Sequence, residues 1–342
     1  MTRARIALLM ALLAALLASP AATARQKTGT VERRTMPADA VSEAREYLLF
    51  RPAKLAPPHE RALVVFLHGC TQTATNAMDG TGWNALADEL GFVIAYPEQS
   101  TGVDGNGARC WNSGQAPLFP RGQHELETIA RITRAVRDEH AVPAGRVFIA
   151  GLSSGGLMAA AMAATYPDLY AAMGSVIACG YPCGDPTGVA AHDRMGEHAR
   201  VVPGFFVAGT ADYLINPAMS QGGMRGWVAA NDLADDGAPN GSVSPTPETE
   251  QRGFDQSATP GTDLCIRNYN NPCPAGALGL ADYPTTVDRF LATDGTVVVE
   301  SWLLHGLSHS YPGGARDTGT YTDPHGPSIN RPMYEFFLSH AR

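Results

Sequence analysis

The sequence has 342 residues, of which 44% are apolar and 17% charged, a globular composition with enough apolar material for a sizeable core. Its 25 Lys and Arg against 33 Asp and Glu give a formal net charge of −8, which excludes the basic surface that nucleic-acid phosphates require. The 36 Gly and 25 Pro predict many turns and loops between short elements.

The first 24 residues have the features of an export signal. Arg3 and Arg5 precede an unbroken apolar run over 6–17, and Ala22 and Ala24 supply the small residues that signal peptidase recognises. The run is shorter than the roughly 20 residues that a membrane span needs. We therefore expect cleavage after Ala24 and a secreted protein, extracellular or periplasmic, that no membrane retains. The alternative interpretation is a buried N-terminal helix.

After residue 24, short apolar runs alternate with helix-like segments. Apolar strands separated by helices are typical of a parallel sheet covered on both faces, so the pattern predicts an α/β fold, with 25–342 as one domain. The stretch 233–263 is rich in Asp, Gly, Pro, Ser and Thr, which predicts a loop insertion that serves as a surface loop or lid. The predicted strands are 46–51, 62–68, 91–96, 146–150, 171–177, 203–208 and 296–304, and the predicted helices are 83–90, 125–140, 156–165 and 332–341.

All six cysteines follow the export signal, and an even number in an oxidising compartment favours disulfides. Proximity along the chain predicts two short bridges, which leaves one long-range bridge for the remaining pair. A zinc site is the competing interpretation, but the cysteines form no CxxC pair and no His stands beside them at ligand spacing. The predicted disulfides are Cys179–Cys183, Cys265–Cys273 and Cys70–Cys110.

Residues 151–155 form a GxSxG sequence with Ser153 at its centre. It follows the predicted strand 146–150 directly and leads into the predicted helix 156–165. A nucleophile elbow needs this strand–turn–helix arrangement, because the sharp turn lifts the serine hydroxyl off the sheet. The positive N-terminus of the following helix also favours an oxyanion. A glycine-rich turn without reactivity is the alternative.

A serine hydroxyl needs a base and an orienting acid, which in this architecture follow the serine in the order acid, then His. His309 lies in a loop just beyond the predicted strand 296–304, whereas His305 is still at the edge of that strand. Asp212 follows the strand 203–208 in a turn. Because active sites of such sheets lie at strand carboxyl ends, we predict Asp212 and His309 as the partners of Ser153.

A tetrahedral oxyanion needs two backbone N–H donors. The predicted donors are the amide of Ser154, next to the nucleophile, and that of Cys70, in the loop after strand 62–68. A Cys70–Cys110 bridge would bring Trp111 toward the site, where Trp111 forms either an apolar substrate wall or part of the core.

Six short motifs in this order resemble the polyhydroxybutyrate depolymerase family of esterases, secreted α/β-hydrolases related to feruloyl and acetylxylan esterases. The resemblance runs from about residue 45 to the C-terminus, and it implies an α/β-hydrolase fold and the same assignment of Ser153, Asp212 and His309, with Cys70 and Ser154 as oxyanion donors. The motifs are LHGCTQT (67–73), YPEQ (96–99), CWN (110–112), GLSSGG (151–156), GTAD (209–212) and GLSH (306–309).

The chain departs from the family pattern at three places. Ser308 stands where relatives have Gly, and residues 310–312 replace the family's Ala-Trp-Ser. Tyr311 lies in this altered stretch and is predicted, with Trp111, to contact substrate. The second departure is the insertion 233–263, and as a third we expect no linker and polymer-binding domain after the closing helix.

These observations predict a secreted serine esterase, polyester depolymerase-like, that needs no cofactor or metal. Its expected partner is an ester substrate, either a small ester or a polymeric one, and we expect a monomer that binds neither nucleic acid nor membrane. The alternatives are a feruloyl or acetylxylan esterase acting on plant polysaccharide and, more remotely, a non-catalytic binding protein on a hydrolase scaffold.

Overall fold

A computed structural model describes residues 28–101, 107–112, 120–253, 283–315, 321–324 and 326–342. Twelve strands occur in this part of the chain, ten of them in one sheet. The predicted export signal and the cysteines at 265 and 273 lie outside the described residues. The strands are β1 Thr30–Met36, β2 Arg45–Arg51, β3 Leu63–Leu67, β4 Val93–Pro97, β5 Val147–Leu152, β6 Ala172–Val176, β7 Gly204–Gly209, β8 Glu248–Arg252, β9 Thr285–Leu291, β10 Val297–Leu304, β11 Tyr311–Pro312 and β12 Thr322–Asp323.

The large sheet has the order β1-β2-β4-β3-β5-β6-β7-β10-β9-β8. Its centre, from β4 to β10, consists of parallel neighbours. Antiparallel strands extend it on both sides, with β2 and β1 at one end and β9 and β8 at the other. The mainly parallel α/β sheet that the apolar strands predict is therefore confirmed.

Helices cover both faces because the central strands are apolar on both faces. Along β3, Leu63, Val65 and Leu67 belong to one core and Val64 and Phe66 to the other. Helices α3 to α6 pack on the first core, and α1, α2 and α7 pack on the second. The helices are α1 Ala74–Thr81, α2 Trp83–Leu90, α3 His124–Glu139, α4 Ser154–Thr165, α5 Val189–Met195, α6 Pro217–Asp236 and α7 Asn330–Ser339.

The region after β7 differs from the sequence prediction. The prediction of one loop insertion over 233–263 is wrong for the described part, because α6 extends to Asp236 and β8 joins the sheet. Helix α6 is rich in glycine, and the reason is close backbone packing: a Cβ atom on Gly223 would lie 1.8 Å from the Cys179 carbonyl oxygen. Residues 254–263 lie outside the described residues.

Two of the predicted disulfides, Cys70–Cys110 and Cys179–Cys183, are present. No cluster of three or more His, Cys, Asp or Glu side chains suited to a metal ion occurs among the described residues. Within the same part of the chain, none of the helices combines the length and the apolar character needed to cross a membrane.

Candidate active site

Ser153 occupies a strained turn between β5 and α4. Its φ of 55° and ψ of −123° are unusual for a residue with a side chain, and its amide donates to the Val176 carbonyl at 2.9 Å. The flanking glycines are required by space, because a Cβ atom on Gly155 would lie 2.2 Å from the Leu67 carbonyl oxygen and one on Gly151 2.3 Å from the Gly155 oxygen. Backbone strain at such a turn is characteristic of a functional site.

His309 connects the serine to a carboxylate. The distance from Ser153 Oγ to His309 Nε2 is 2.9 Å, and His309 Nδ1 lies 3.0 and 2.9 Å from the two carboxylate oxygens of Asp212. Because an ionised carboxylate only accepts, Nδ1 carries the proton and donates it, which leaves Nε2 of the neutral ring to accept from the serine hydroxyl. The side chains of His309 and Asp212 are 3% and 2% exposed, so little water competes for these bonds.

The loops that carry Asp212 and His309 are joined through the main chain. Thr210 and Ala211 donate their amides to the carbonyls of Leu304 and Leu307, each at 3.0 Å. The Gly306 amide donates to Thr210 Oγ1 at 2.7 Å. Since β7 and β10 are parallel neighbours, their carboxyl ends meet, and the two loops form one unit.

Two further amides hold the Asp212 carboxylate. Leu214 and Ile215 each donate their backbone N–H to Asp212 Oδ1 at 2.9 Å. The turn after the acid thus folds around the carboxylate and fixes its orientation toward His309.

The predicted oxyanion donors lie beside the serine. Gly69, Cys70 and Thr71 line the same small cavity as Ser153, and Ser154 is the first residue of α4. The Gly69 amide donates to Gln72 Oε1 at 2.7 Å, which holds the loop in a tight turn. A Cβ atom on Gly69 would lie 3.3 Å from the Ser153 Cβ, so the loop approaches the serine closely.

A buried polar network supports this loop from behind. His68 Nδ1 donates to the Gly69 carbonyl at 2.7 Å and His68 Nε2 accepts the Gln99 amide at 2.9 Å. The Gln99 side chain donates to Glu125 at 2.6 Å and to the Cys110 carbonyl at 3.2 Å. Burial lowers the pKa of His68 to about 4, so His68 is neutral at physiological pH. The YPEQ motif is the sequence signal for Gln99.

Trp111 and Tyr311 lie outside the cavity beside Ser153, contrary to the prediction that they contact substrate. Trp111 is buried and donates its Nε1 proton to the His68 carbonyl at 2.8 Å, so it belongs to the core. Tyr311 is also buried: its hydroxyl accepts from Trp83 Nε1 at 2.9 Å and donates to Asn330 Oδ1 at 2.5 Å. Tyr311, which stands where the family has Trp, therefore has a structural role in this protein.

Leu214 and Tyr321 line the cavity instead. Leu214 belongs to the apolar run Tyr213–Ile215 directly after Asp212, and such a run in an active-site loop is a signal that the sequence did contain. Tyr321 stands among Gly, Thr and Asp residues, and nothing in the sequence distinguishes it.

The comparisons with known proteins identify the family of the chain. The Esterase PHB depolymerase family model matches residues 46–235. Poly(3-hydroxyalkanoate) depolymerase C of Paucimonas lemoignei is 36% identical over 135 residues, which are 40% of this chain and 32% of that protein. Probable acetylxylan esterase A of Aspergillus flavus is 33% identical over 159 residues, 46% of this chain and 48% of that protein.

These alignments span between about a third and a half of the length of the relatives. Among solved structures, an acetyl xylan esterase from Aspergillus awamori superposes with a TM-score of 0.57 at 19% identity, covering 82% of this chain and 94% of that chain. It shows that the two share the α/β-hydrolase fold. Because the family model matches more than half of the sequence, the chain belongs to the Esterase PHB depolymerase family.

Proposed function

We propose that this protein is a serine hydrolase that cleaves carboxylic esters through an acyl-enzyme. The observation that carries the proposal is the continuous hydrogen-bonded path from Ser153 Oγ through His309 to Asp212. A non-catalytic protein on this scaffold has no need for such a path or for a strained serine. Family membership supports the same reaction class.

In the proposed mechanism, Ser153 Oγ attacks the ester carbonyl while His309 Nε2 takes the hydroxyl proton. The negative charge that develops on the carbonyl oxygen is stabilised by the amides of Cys70 and Ser154. His309 then returns the proton to the departing alcohol, which leaves an acyl group on Ser153. Water, deprotonated by His309, attacks this acyl group, and His309 returns the proton to Ser153 Oγ as the acid is released. Asp212 stabilises the imidazolium in both halves.

The substrate we propose is a polyhydroxyalkanoate or a similar polyester, because a relative that is 36% identical over 135 residues bears the name of a poly(3-hydroxyalkanoate) depolymerase. The acetylxylan esterase among the relatives favours a second candidate, an acetyl ester on plant polysaccharide. A feruloyl ester on the same polymer is the alternative that the sequence resemblance leaves open. Both candidates share the acyl-enzyme chemistry and differ in the group that the cavity must accept.

We also propose that residues 1–24 direct export and are removed, and that 25–342 form one catalytic domain. The disulfides Cys70–Cys110 and Cys179–Cys183 support export, because such bonds form and persist in oxidising compartments.

Two measurements test the proposed chemistry. A fluorophosphonate probe should label the wild type at Ser153, and nitrophenyl acetate should be hydrolysed. Ser153→Ala should lose labelling and about 10⁶-fold in kcat without a change in thermal unfolding. Ser339→Ala, at an exposed serine near the end of α7, serves as the matched control and should retain both. Turnover by Ser153→Ala would refute the assignment.

A substrate panel separates the two candidates. Hydroxybutyrate oligomers, acetylated xylan and methyl ferulate, assayed at equal enzyme concentration, should give the highest kcat/KM with the hydroxybutyrate oligomers. A higher value for acetylated xylan or methyl ferulate would move the assignment to the polysaccharide candidate.

A further inference from the structure

Exposed apolar side chains gather around the His309 imidazole. Tyr213, Leu214 and Tyr321 are 62%, 55% and 38% exposed and are among the seven exposed large hydrophobic residues of the described chain. The rings of Tyr213 and Tyr321 lie 6.4 and 5.9 Å from the imidazole, both edge to face. Clustering of apolar groups at one point of a surface marks a binding site, whereas scattered single residues do not.

Of these three exposed residues, Leu214 and Tyr321 line the cavity beside Ser153, and backbone hydrogen bonds hold both in place. The Leu214 amide donates to the same carboxylate that binds His309. Tyr321 has a φ of 49°, a strained conformation for a bulky residue. Its carbonyl accepts the Tyr311 amide at 2.8 Å, and the strand pair β11–β12 follows directly. Strain of this kind persists where the surrounding structure enforces it, commonly at ligand-contacting positions.

The cavity between them is small and uncharged. Its volume is about 60 Å³, and Ser153, Cys70, His309, Leu214 and Tyr321 are among its walls. No Asp, Glu, Lys or Arg side chain of the described residues lines it. Pockets for drug-sized ligands measure roughly 300–1,000 Å³, and one water needs roughly 10–15 Å³. The cavity therefore matches a group of a few non-hydrogen atoms.

We propose that Leu214 and Tyr321 determine specificity by closing an acyl pocket that accepts a short, uncharged acyl group, such as acetyl, butyryl or hydroxybutyryl, and excludes a long or aromatic one. This proposal rests on the proposed ester hydrolysis at Ser153. Because a cinnamoyl-type group carries an aromatic ring that the cavity cannot contain, the proposal disfavours feruloyl esters among the candidate substrates.

The test varies the acyl group at a constant leaving group. For the wild type, kcat/KM should be highest for nitrophenyl acetate or butyrate and fall at least about tenfold for the octanoate. Leu214→Ala and Tyr321→Ala each open one wall, and each should raise the octanoate-to-acetate ratio of kcat/KM about tenfold or more, because each methylene in an apolar pocket changes specificity by roughly 10–200-fold. Leu214→Phe should narrow the pocket and lower kcat/KM for nitrophenyl butyrate relative to that for nitrophenyl acetate.

Controls separate this proposal from the proposed function. Val189→Ala removes an apolar side chain on α5 whose exposure lies between those of Leu214 and Tyr321, and it should leave the octanoate-to-acetate ratio unchanged. Tyr321→Phe should also leave this ratio unchanged, because the ring forms the wall. If the wild type cleaves octanoate as well as acetate, or if neither Ala variant changes the ratio, the acyl-pocket proposal is overturned while ester hydrolysis stands. If no ester is cleaved and Ser153 is not labelled, the proposed function itself fails.

Discussion

The two sides of the candidate active site are held together by different means. The oxyanion loop, residues 68–72, depends on a long-range disulfide and on the buried side chains of His68, Gln99 and Glu125. The loops of Asp212 and His309 depend on main-chain bonds between the ends of β7 and β10. The oxyanion side is thus supported by a disulfide and buried side chains from residues far apart in sequence. The acid–base side, which carries Asp212 and His309, is supported by the parallel pairing of two neighbouring strands.

This difference predicts different responses to substitution. On the acid–base side, a conservative change should affect chemistry and leave folding intact, because the parallel strands hold the loops. On the oxyanion side, a change in a supporting residue should lower both stability and turnover, because side chains and a disulfide provide the support.

Among the substitutions that compare the two sides, the largest effect should come from Asp212→Asn on the acid–base side. Its side-chain oxygen can still accept the amides of Leu214 and Ile215, but the amide group favours the wrong His309 tautomer. We expect kcat to fall about 10⁴-fold with a thermal unfolding curve close to that of the wild type. Asp294→Asn, in the exposed turn between β9 and β10, is the control. A fall of less than tenfold would show that the acid–base side does not depend on this carboxylate.

Removal of the Cys70–Cys110 disulfide should have the next largest effect. The bond closes a loop with a sequence separation of 40, and loop-closure entropy gives it about 4 kcal/mol of stability, against about 2 kcal/mol for Cys179–Cys183 with a separation of 4. In denaturant unfolding, the Cys70→Ala/Cys110→Ala variant should therefore lose more free energy of unfolding than the Cys179→Ala/Cys183→Ala variant. Only the Cys70/Cys110 variant should also lower kcat, since it releases an oxyanion donor. If the two double variants lost the same free energy of unfolding and the same kcat, the distinction between the two sides of the site would be wrong.

The smallest effect concerns pH. His68 has a pKa of about 4 in the folded protein because of burial, against about 6.5 when unfolded. Between these pH values the unfolded chain binds a proton at His68 that the folded chain excludes. The contribution of His68 to the free energy of unfolding is therefore complete above pH 6.5 and is lost as pH falls toward 4. The loss amounts to about 3 kcal/mol.

The measurement is denaturant unfolding at several pH values between 7 and 4. His68→Gln should lose about 3 kcal/mol less over this range than the wild type, although it starts from a lower stability at pH 7. His59→Gln, at an exposed histidine, should follow the wild-type curve. Parallel curves for all three proteins would mean that acid sensitivity has another origin than the oxyanion side.

The sequence predicts the centre of the fold well because apolar runs there are unambiguous. Helix α2 has the predicted bounds, and β3, β5 and β10 agree to within two residues at each end. Prediction fails where tertiary contacts override local preference. Helix α6 contains glycines that lower helix propensity but allow its backbone to touch the 179–188 segment. Strand β8 is polar and exposed, so its sequence lacks the alternation that would mark a half-buried strand.

The same distinction applies to the site. Ser153, Asp212 and His309 could be selected because each lies at or shortly after the end of a strand whose apolar sequence is clear. The prediction that Trp111 and Tyr311 contact substrate failed, because both aromatic residues lie near the motifs in sequence and yet are buried in the core. Tyr321 reaches His309 only through a strained turn, which residue order alone does not reveal.

The two outermost strands of the sheet carry charged side chains, unlike its apolar centre, and this difference affects how two molecules of the protein can associate. β1 carries Glu32, Arg33 and Arg34, and β8 carries Glu250 and Arg252. Charges of both signs on an edge strand disfavour pairing with the edge of another molecule. We therefore expect the charged edges to keep molecules of this protein from pairing through their sheets at high concentration.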